Sequence, residues 1–285
     1  MGSVPFFARR WISGTTMPEA LERVKALNAQ RVSATLDLLG ENITSEAQAR
    51  ACTSEYIRML ESISGGSIDS HVSLKLTMLG LDIDEELCFS LLSEVLRKAD
   101  ALGNRVALDM EGSPYTERTL RIYEAAAKSF RSPEIVLQAY LKRTEADVER
   151  VMRANGRFRL CKGAYKESAD VAFKDMPSIQ AQYLKLAKRA LSNSATGAHV
   201  CLATHDDTLI DALKAFIAEN KIPKERYEFQ MLYGMREKTW YRLAEEGHPI
   251  TVYIPYGREW QAYYARRLAE RKENIFFVLK NLFRD

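Results

Sequence analysis

The chain has 285 residues, 46% hydrophobic and 28% charged, with a net charge of +3. This is ordinary globular composition, long enough for two small domains or one large α/β barrel, and its dispersed basic residues exclude a nucleic-acid-binding stripe. The four cysteines (Cys52, Cys88, Cys161, Cys201) and four histidines are scattered, so no metal site or disulfide framework is expected and a reducing compartment is.

In chain order, Met1–Met17 carries basic and aromatic residues without the apolar core of a secretory signal. Pro18–Leu27 is predicted as a helix ahead of the first strand. Short β-rich runs then alternate with long helical stretches. The predicted strands are Ser33–Leu38, His71–Thr77, Arg105–Met110, Glu134–Ala139, Arg157–Cys161, Ala198–Ala203, Tyr227–Met231 and Ile250–Ile254. Between them, Ile83–Ala99, Thr116–Phe130, Ile179–Leu191 and Asp206–Glu219 show helical apolar spacing. About eight strands separated by helices predict a closed (βα)8 barrel of the TIM type. No low-complexity linker interrupts the chain, so residues 1–285 are read as a single domain, with 1–30 as an N-terminal extension and helix. The stretch Asn274–Phe283 is amphipathic and suits core packing or docking, with membrane-surface contact as the alternative. No segment approaches the roughly 18–20 apolar residues of a membrane span.

Polar residues gather at the ends of these strands, where barrel active sites assemble. They are Lys75 and Thr77, Asp109 and Glu111, Gln138 and Tyr140, Lys162 and Tyr165, Thr204 to Asp206, Gln230, and Tyr253. Asp109 closes an apolar strand and needs a cationic partner, for which Lys75 on the neighbouring strand is the natural candidate. In Arg159–Tyr165, strand alternation points Arg159 and Cys161 one way and Leu160 and Lys162 the other. Gly163 permits close approach of a ligand or backbone. Lys162 suits a Schiff-base nucleophile, a charge partner for an anionic cofactor, or a solvated strand end. Thr204 and His205 stand at a strand-to-helix junction that suits phosphate binding or simple structural hydrogen bonding, with Asp206 or Asp207 capping the helix. Glu41 is a gate, an ion-pair partner near the rim, or an exposed carboxylate. Neither a Rossmann nor a P-loop glycine pattern is present.

Tyr263–Arg271 pairs two adjacent arginines with a carboxylate and two tyrosines. Tyr263, Arg266, Arg267 and Glu270 fall at i, i+3, i+4 and i+7, one helical face. That face is either a bidentate clamp for a small carboxylate or a solvated surface laced by pairs such as Arg266 with Glu270.

Taken in order, several segments resemble the proline dehydrogenase family. They are Ser73–Thr77, Leu108–Glu111, Arg159–Tyr165, Ala203–Asp206, Phe229–Met235, Val252–Gly257 and Tyr263–Arg271. The likeness runs from about Arg31 to the C-terminus and is strongest to stand-alone bacterial members. It implies a (βα)8 barrel binding non-covalent FAD without a Rossmann motif. The implied reaction oxidises L-proline to Δ1-pyrroline-5-carboxylate and passes electrons to a membrane quinone. It further implies that Arg266 and Arg267 bind the substrate carboxylate, that Tyr253, Tyr263 and Leu232 line the proline site, and that Lys75 and Asp109 sit against flavin and substrate. Arg159 would lie near flavin N5. Gln138, Lys162, Gly163, Ala164, Tyr165, Thr204, His205 and Gln230 would contact FAD. Glu41 resembles the family's gate, pairing with Arg266, and Glu270 would support the clamp helix. A cytoplasmic location with peripheral attachment to the inner face of the membrane, and a homo-oligomer, are compatible with this.

Two departures stand out. The stretch ahead of the first strand is short against members with extra N-terminal helices. Tyr165 is followed by Lys166 and Glu167, where other members often place an aromatic residue. The competing readings are a Schiff-base aldolase built on Lys162 and a non-catalytic barrel that binds proline or a partner protein.

Overall fold

The computed structural model describes residues 5, 8–40, 43–131, 133–193 and 197–269, with the backbone alone for 266, 268 and 269. Eight parallel strands close into one barrel in chain order: β1 Ser33–Leu38, β2 Ser70–Lys75, β3 Val106–Asp109, β4 Pro133–Gln138, β5 Arg157–Cys161, β6 His199–Ala203, β7 Tyr227–Leu232 and β8 Ile250–Tyr256. The helices are α1 Met17–Asn28, α2 Glu46–Gly65, α3 Glu85–Ala101, α4 Ser113–Ala127, α5 Thr144–Arg153, α6 Met176–Leu191, α7 Asp207–Glu219, α8 Glu237–Glu245 and α9 Trp260–Ala269. The expected barrel is therefore present. β2 ends two residues early because Leu76–Leu79 winds into a 3-10 turn stopped by left-handed Gly80, φ +85°. Helices α4 and α6 begin three residues before their expected starts, since Pro114 and Pro177 fit the first helical turn, whose N–H groups need no partner. At α2 the entry is a capping box: Gln48 N donates to Ser45 Oγ at 3.3 Å, and Ser45 N donates back to Gln48 Oε1 at 3.2 Å.

One face of the strands is apolar. Leu36, Val72, Leu74, Leu108, Ile135, Leu137, Phe158, Leu160, Val200, Leu202, Phe229 and Val252 are buried in the main hydrophobic core with the surrounding helices. The alternate residues fill the barrel interior and are largely polar or charged. At the N-terminal end, Arg157 donates to Glu134 and to Glu228, each at 2.7 Å, and Arg105 contacts His71 Nδ1 at 3.2 Å. Among the described residues, one group offers three potential metal donors, His199, Cys201 and Glu228, with their atoms within 4.8 Å of one another. Positive charge already reaches that group through Arg157, which engages Glu228, and the other oxygen of the carboxylate accepts a hydrogen bond from the neutral Gln230 amide at 2.5 Å.

This floor makes the fold acid-sensitive. Burial, then Arg105, lowers His71 to about 3, and burial, then Arg157, lowers His199 to about 4, both from 6.5. Burial alone would raise Glu134, but Arg157 and Arg159 outweigh it and hold the carboxyl at about 2, below its ordinary 4.5. Every folded value lies below its unfolded value, so the unfolded chain takes up protons first. Stability is complete above those unfolded values and is lost as pH falls. The thermal midpoint is expected to be level above pH 7, to fall from about pH 6.5 and to fall more steeply below about 4.5. His71 alone contributes a loss on the order of 3 kcal/mol by pH 4. Thermal unfolding across pH 4–8, repeated with His71→Asn, measures this; the variant should flatten the upper part of the decline.

Helix α1 packs against both β1 and β8. It fills the position between first and last strands, leaving α9 to lie across the C-terminal rim. The N-terminal segment locks that arrangement. Gly257 N donates to Gly14 O at 3.1 Å and Ser13 N to Pro255 O at 3.1 Å. Ala8, Trp11 and Ile12 form an apolar cluster with Leu39 and Tyr263, and the Trp11 and Tyr264 ring centroids are 5.5 Å apart. Among the described residues no helix is long and apolar enough to cross a membrane. Glu41, Glu270 and the amphipathic stretch Asn274–Phe283 lie outside the described residues.

Candidate active site

The C-terminal ends of the strands surround a cavity of about 430 Å³, within the range of small-molecule and cofactor sites. Each strand delivers a side chain from its last few residues. Lys75 ends β2, Asp109 ends β3, Gln138 ends β4, Cys161 ends β5 and Leu232 ends β7. Asp37, Arg159, Gln230 and Tyr253 come from within their strands. The turn after β5 adds Lys162, Gly163, Ala164 and Tyr165, and the turn after β6 adds Thr204 and His205. Helix α9 closes one side with Tyr263 and Arg267, whose guanidinium lies 5.3 Å above the Tyr263 ring.

The cavity floor is a hydrogen-bonded network. Arg159, buried at 5% exposure, donates through Nη1 to Asp109 Oδ1 at 2.6 Å and through Nε to Gln230 Oε1 at 2.5 Å. Ser73 Oγ donates to Asp109 Oδ1 at 2.8 Å, and Tyr253 Oη donates to Asp109 Oδ2 at 2.7 Å. Because Gln230 Nε2 donates to the acceptor-only Glu228 carboxylate, its amide oxygen must face Arg159. The network thus runs from the barrel floor to the cavity. Burial would weaken the Arg159 charge, but Asp109 and then Glu134 more than offset it. Burial also pushes the Tyr253 hydroxyl well up, with Asp109 adding to the effect, so it remains a donor.

The structure corrects the expected partner of Asp109. Strand register does set Lys75 beside Asp109, yet Lys75 Nζ pairs with Asp37 Oδ1 at 3.4 Å and Asp109 pairs with Arg159. Burial disfavours the Lys75 charge, but Asp37, then Asp109, reverse that and raise its pKa. Asp37 has a raised pKa because burial outweighs Lys75. Sequence reasoning missed Asp37; its only signal is a carboxylate in mid-strand, in Thr35-Leu36-Asp37-Leu38.

Other expectations change in detail. Lys162 lines the cavity together with Cys161, because β5 ends at Cys161 and strand alternation stops there. Its ammonium pairs with Asp206 at 2.6 Å, an arrangement for a charged lysine rather than a Schiff-base nucleophile. The space beside Gly163, φ +115°, holds the Tyr140 ring, which a Cβ there would meet at 2.1 Å. Thr77 and Glu111 hydrogen-bond each other at 3.0 Å and do not line the cavity. Asp206 is the α7 cap, accepting from Thr208 N at 3.1 Å. His205 Nε2 accepts from Leu232 N at 2.8 Å, which makes Nδ1 the protonated ring nitrogen. Of the clamp, Tyr263 and Arg267 reach the cavity. The Arg266 side chain, its pairing with Glu41 and the Glu270 contact lie outside the described residues. Cys161, Met176 and Ile179 also line the cavity, where the sequence pattern had not placed them; burial pushes the Cys161 thiol up to about 12, leaving it protonated.

Comparison with known proteins identifies relatives of this chain. A family model described as proline dehydrogenase matches residues 20–280. Proline dehydrogenase 2 of Bacillus subtilis is 40% identical over 275 residues, covering 96% of this chain and 90% of that protein. Proline dehydrogenase of Deinococcus radiodurans is 34% identical over 282 residues, covering 97% and 90% respectively. Among solved structures, proline utilization A (PutA) from Bdellovibrio bacteriovorus, inactivated by N-propargylglycine, superposes with a TM-score of 0.85 at 26% identity. That match covers 93% of this chain but only 32% of the PutA chain.

Proposed function

The chain belongs to the proline dehydrogenase family, enzymes of proline oxidation in proline catabolism, and on that premise we propose that it oxidises L-proline to Δ1-pyrroline-5-carboxylate with non-covalent FAD as first acceptor and a membrane quinone as second. The observation that carries this reading is the convergence of Lys75, Asp109, Arg159, Tyr253, Tyr263 and Arg267, from five elements, on one cavity.

The donor set suits a flavin dinucleotide. Arg159 and Lys75 bring positive charge to the floor, and Lys162, Thr204 and His205 bring donors to one side near the α7 N-terminus. Gln138, Gly163, Ala164, Tyr165 and Gln230 complete the wall that would hold the cofactor. When bound, FAD supplies the acceptance of a hydride. The chain's own part is positioning. Arg266 and Arg267 hold the carboxylate. Tyr253, Tyr263 and Leu232 flank the ring and exclude water, with Glu41 as gate and Glu270 as helix support. In the substrate, the C5–H bond breaks with its electron pair, the nitrogen lone pair forms the C=N bond, and the nitrogen proton passes to solvent. The amine must first be neutral. The Lys75 and Arg159 cations favour that form, so activity rises with pH until the free amine dominates.

We extend the proposal to one catalytic domain over residues 1–285, a cytoplasmic setting with peripheral membrane contact, and self-association. The deciding experiment is the visible spectrum of the purified protein before and after anaerobic L-proline. Flavin bands that bleach are expected. Bands unchanged by proline would remove the substrate, and a protein that takes up no FAD would remove the whole reading.

A further inference from the structure

Asp37 lines the cavity, yet the reaction as described gives it no part. Its side chain is 1% exposed, one carboxylate oxygen lies 3.4 Å from Lys75 Nζ and the other has no hydrogen-bond partner. Lys75 would reach Asp109 more directly, since the two are register neighbours on β2 and β3. Asp109, however, is already engaged at both oxygens: Arg159 and Ser73 occupy Oδ1, and Tyr253 occupies Oδ2. The ammonium therefore turns the other way, toward β1. The charged and titratable groups facing Lys75 are Asp37 from β1, Asp109 and Glu111 from β3 and its end, and Tyr165 from the turn after β5. Those facing Asp37 are Lys75, Asp109, Tyr253 and Tyr256 from β8, and Tyr56 from α2. Asp37 and Asp109 face two cations: Lys75 pairs with Asp37, and Arg159 pairs with Asp109 at 2.6 Å and more distantly with Glu134 at 3.9 Å. Neutralising Asp37 removes the ion-pair partner of Lys75 and leaves it to compete with Arg159 for Asp109.

We infer that Asp37 is a positioning residue that acts through Lys75: it holds the lysine as an ammonium against the cavity and keeps it off Asp109, so that the Arg159–Asp109–Tyr253 network stays intact. The role of Lys75 toward substrate rests on the proposed function; the link between Asp37 and Lys75 does not.

The test is the reactivity of Lys75 toward an amine-acylating reagent, read by peptide mass spectrometry between pH 7 and 10. It compares the wild-type protein with Asp37→Asn, which keeps the volume and removes the charge. Only the neutral amine reacts. Without its carboxylate partner and still buried, Lys75 should lose its proton at lower pH, and its labelling at pH 9 should rise about tenfold or more. Unchanged labelling overturns the inference, and so does a rise shared equally by Lys162 and the surface lysines, which would mean general loosening. A second measurement needs neither cofactor nor activity. Lys75→Met should lower the thermal midpoint when Asp37 is present and raise it in the Asp37→Asn background, because an unpaired buried charge costs more than a missing pair. Additive shifts overturn the inference. If Asp37→Asn alone does not fold, recovery of folding in Asp37→Asn/Lys75→Met supports it, and continued failure overturns it. With FAD and proline, Asp37→Asn should gain a falling alkaline limb in kcat/KM. Its absence alongside the expected labelling would overturn the role given to Lys75 in proline oxidation and leave the linkage standing.

Discussion

Arg159→Met is expected to destabilise the protein by about 3–5 kcal/mol, the cost of leaving a buried carboxylate without its partner, and to lower kcat/KM for proline by about 10²–10³-fold, the usual loss of one preorganised charged donor. Both effects come from one geometry. Arg159 is the 2.6 Å partner of Asp109, the 2.5 Å partner of Gln230, and lies 5.3 Å from the Tyr253 ring centroid. Methionine fills much of the space but donates nothing. Asp109 would keep Ser73 and Tyr253 as neutral donors, which soften the loss without supplying charge. The two effects separate in the double variant Arg159→Met/Asp109→Asn. Its thermal midpoint should recover toward wild type, because the orphaned carboxylate is gone, while activity stays low. Thermal unfolding and steady-state kinetics on the wild type and the two variants decide this. A double variant no more stable than Arg159→Met would mean that the pair does not carry the stability assigned to it.

The barrel was legible because β-rich runs alternate with helical periodicity, and both patterns are local. Strand ends came out within a few residues for the same reason. The same alternation that orients Arg159 and Leu160 extends to other strands and marks the character of the interior. Parallel strands buried on both faces ordinarily appear as continuous apolar runs. Here His71, Ser73 and Lys75 alternate with Val72 and Leu74, Arg157 and Arg159 with Phe158, and Glu228 and Gln230 with Phe229. Such alternation in a closed barrel means an interior filled with paired charges instead of branched aliphatics. Pairing itself is not local. Asp37 meets Lys75 across 38 residues and Arg159 meets Asp109 across 50, so the sequence offered Lys75 two carboxylates and no means to choose. The segment from Ala8 to Gly14 was opaque for a different reason. It is held by backbone hydrogen bonds to β8 and its end and by single apolar residues such as Trp11, neither of which leaves a periodic trace.

The clamp carries the second large effect. Arg267→Met is expected to lower kcat/KM for L-proline by about 10²–10³-fold, chiefly through KM, since two charge-assisted hydrogen bonds are withdrawn from the substrate carboxylate. Arg267→Lys should recover only part of this, because an ammonium keeps the charge without the planar fork. The Arg267 side chain lines the cavity and its guanidinium lies over the Tyr263 ring, a position from which it can meet a carboxylate. Helix α9 is itself braced by Trp11, whose ring packs against Tyr264. A loss of activity alone would not separate substrate binding from damage to α9, so a substrate without the carboxylate is needed. With pyrrolidine in place of proline, wild type and Arg267→Met should turn over at nearly the same kcat/KM, since the ring and amine are shared and only the carboxylate contact differs. FAD affinity should be unaltered in both. An Arg267→Met variant that loses as much activity on pyrrolidine as on proline would place Arg267 in the architecture of the rim and leave the carboxylate to another group.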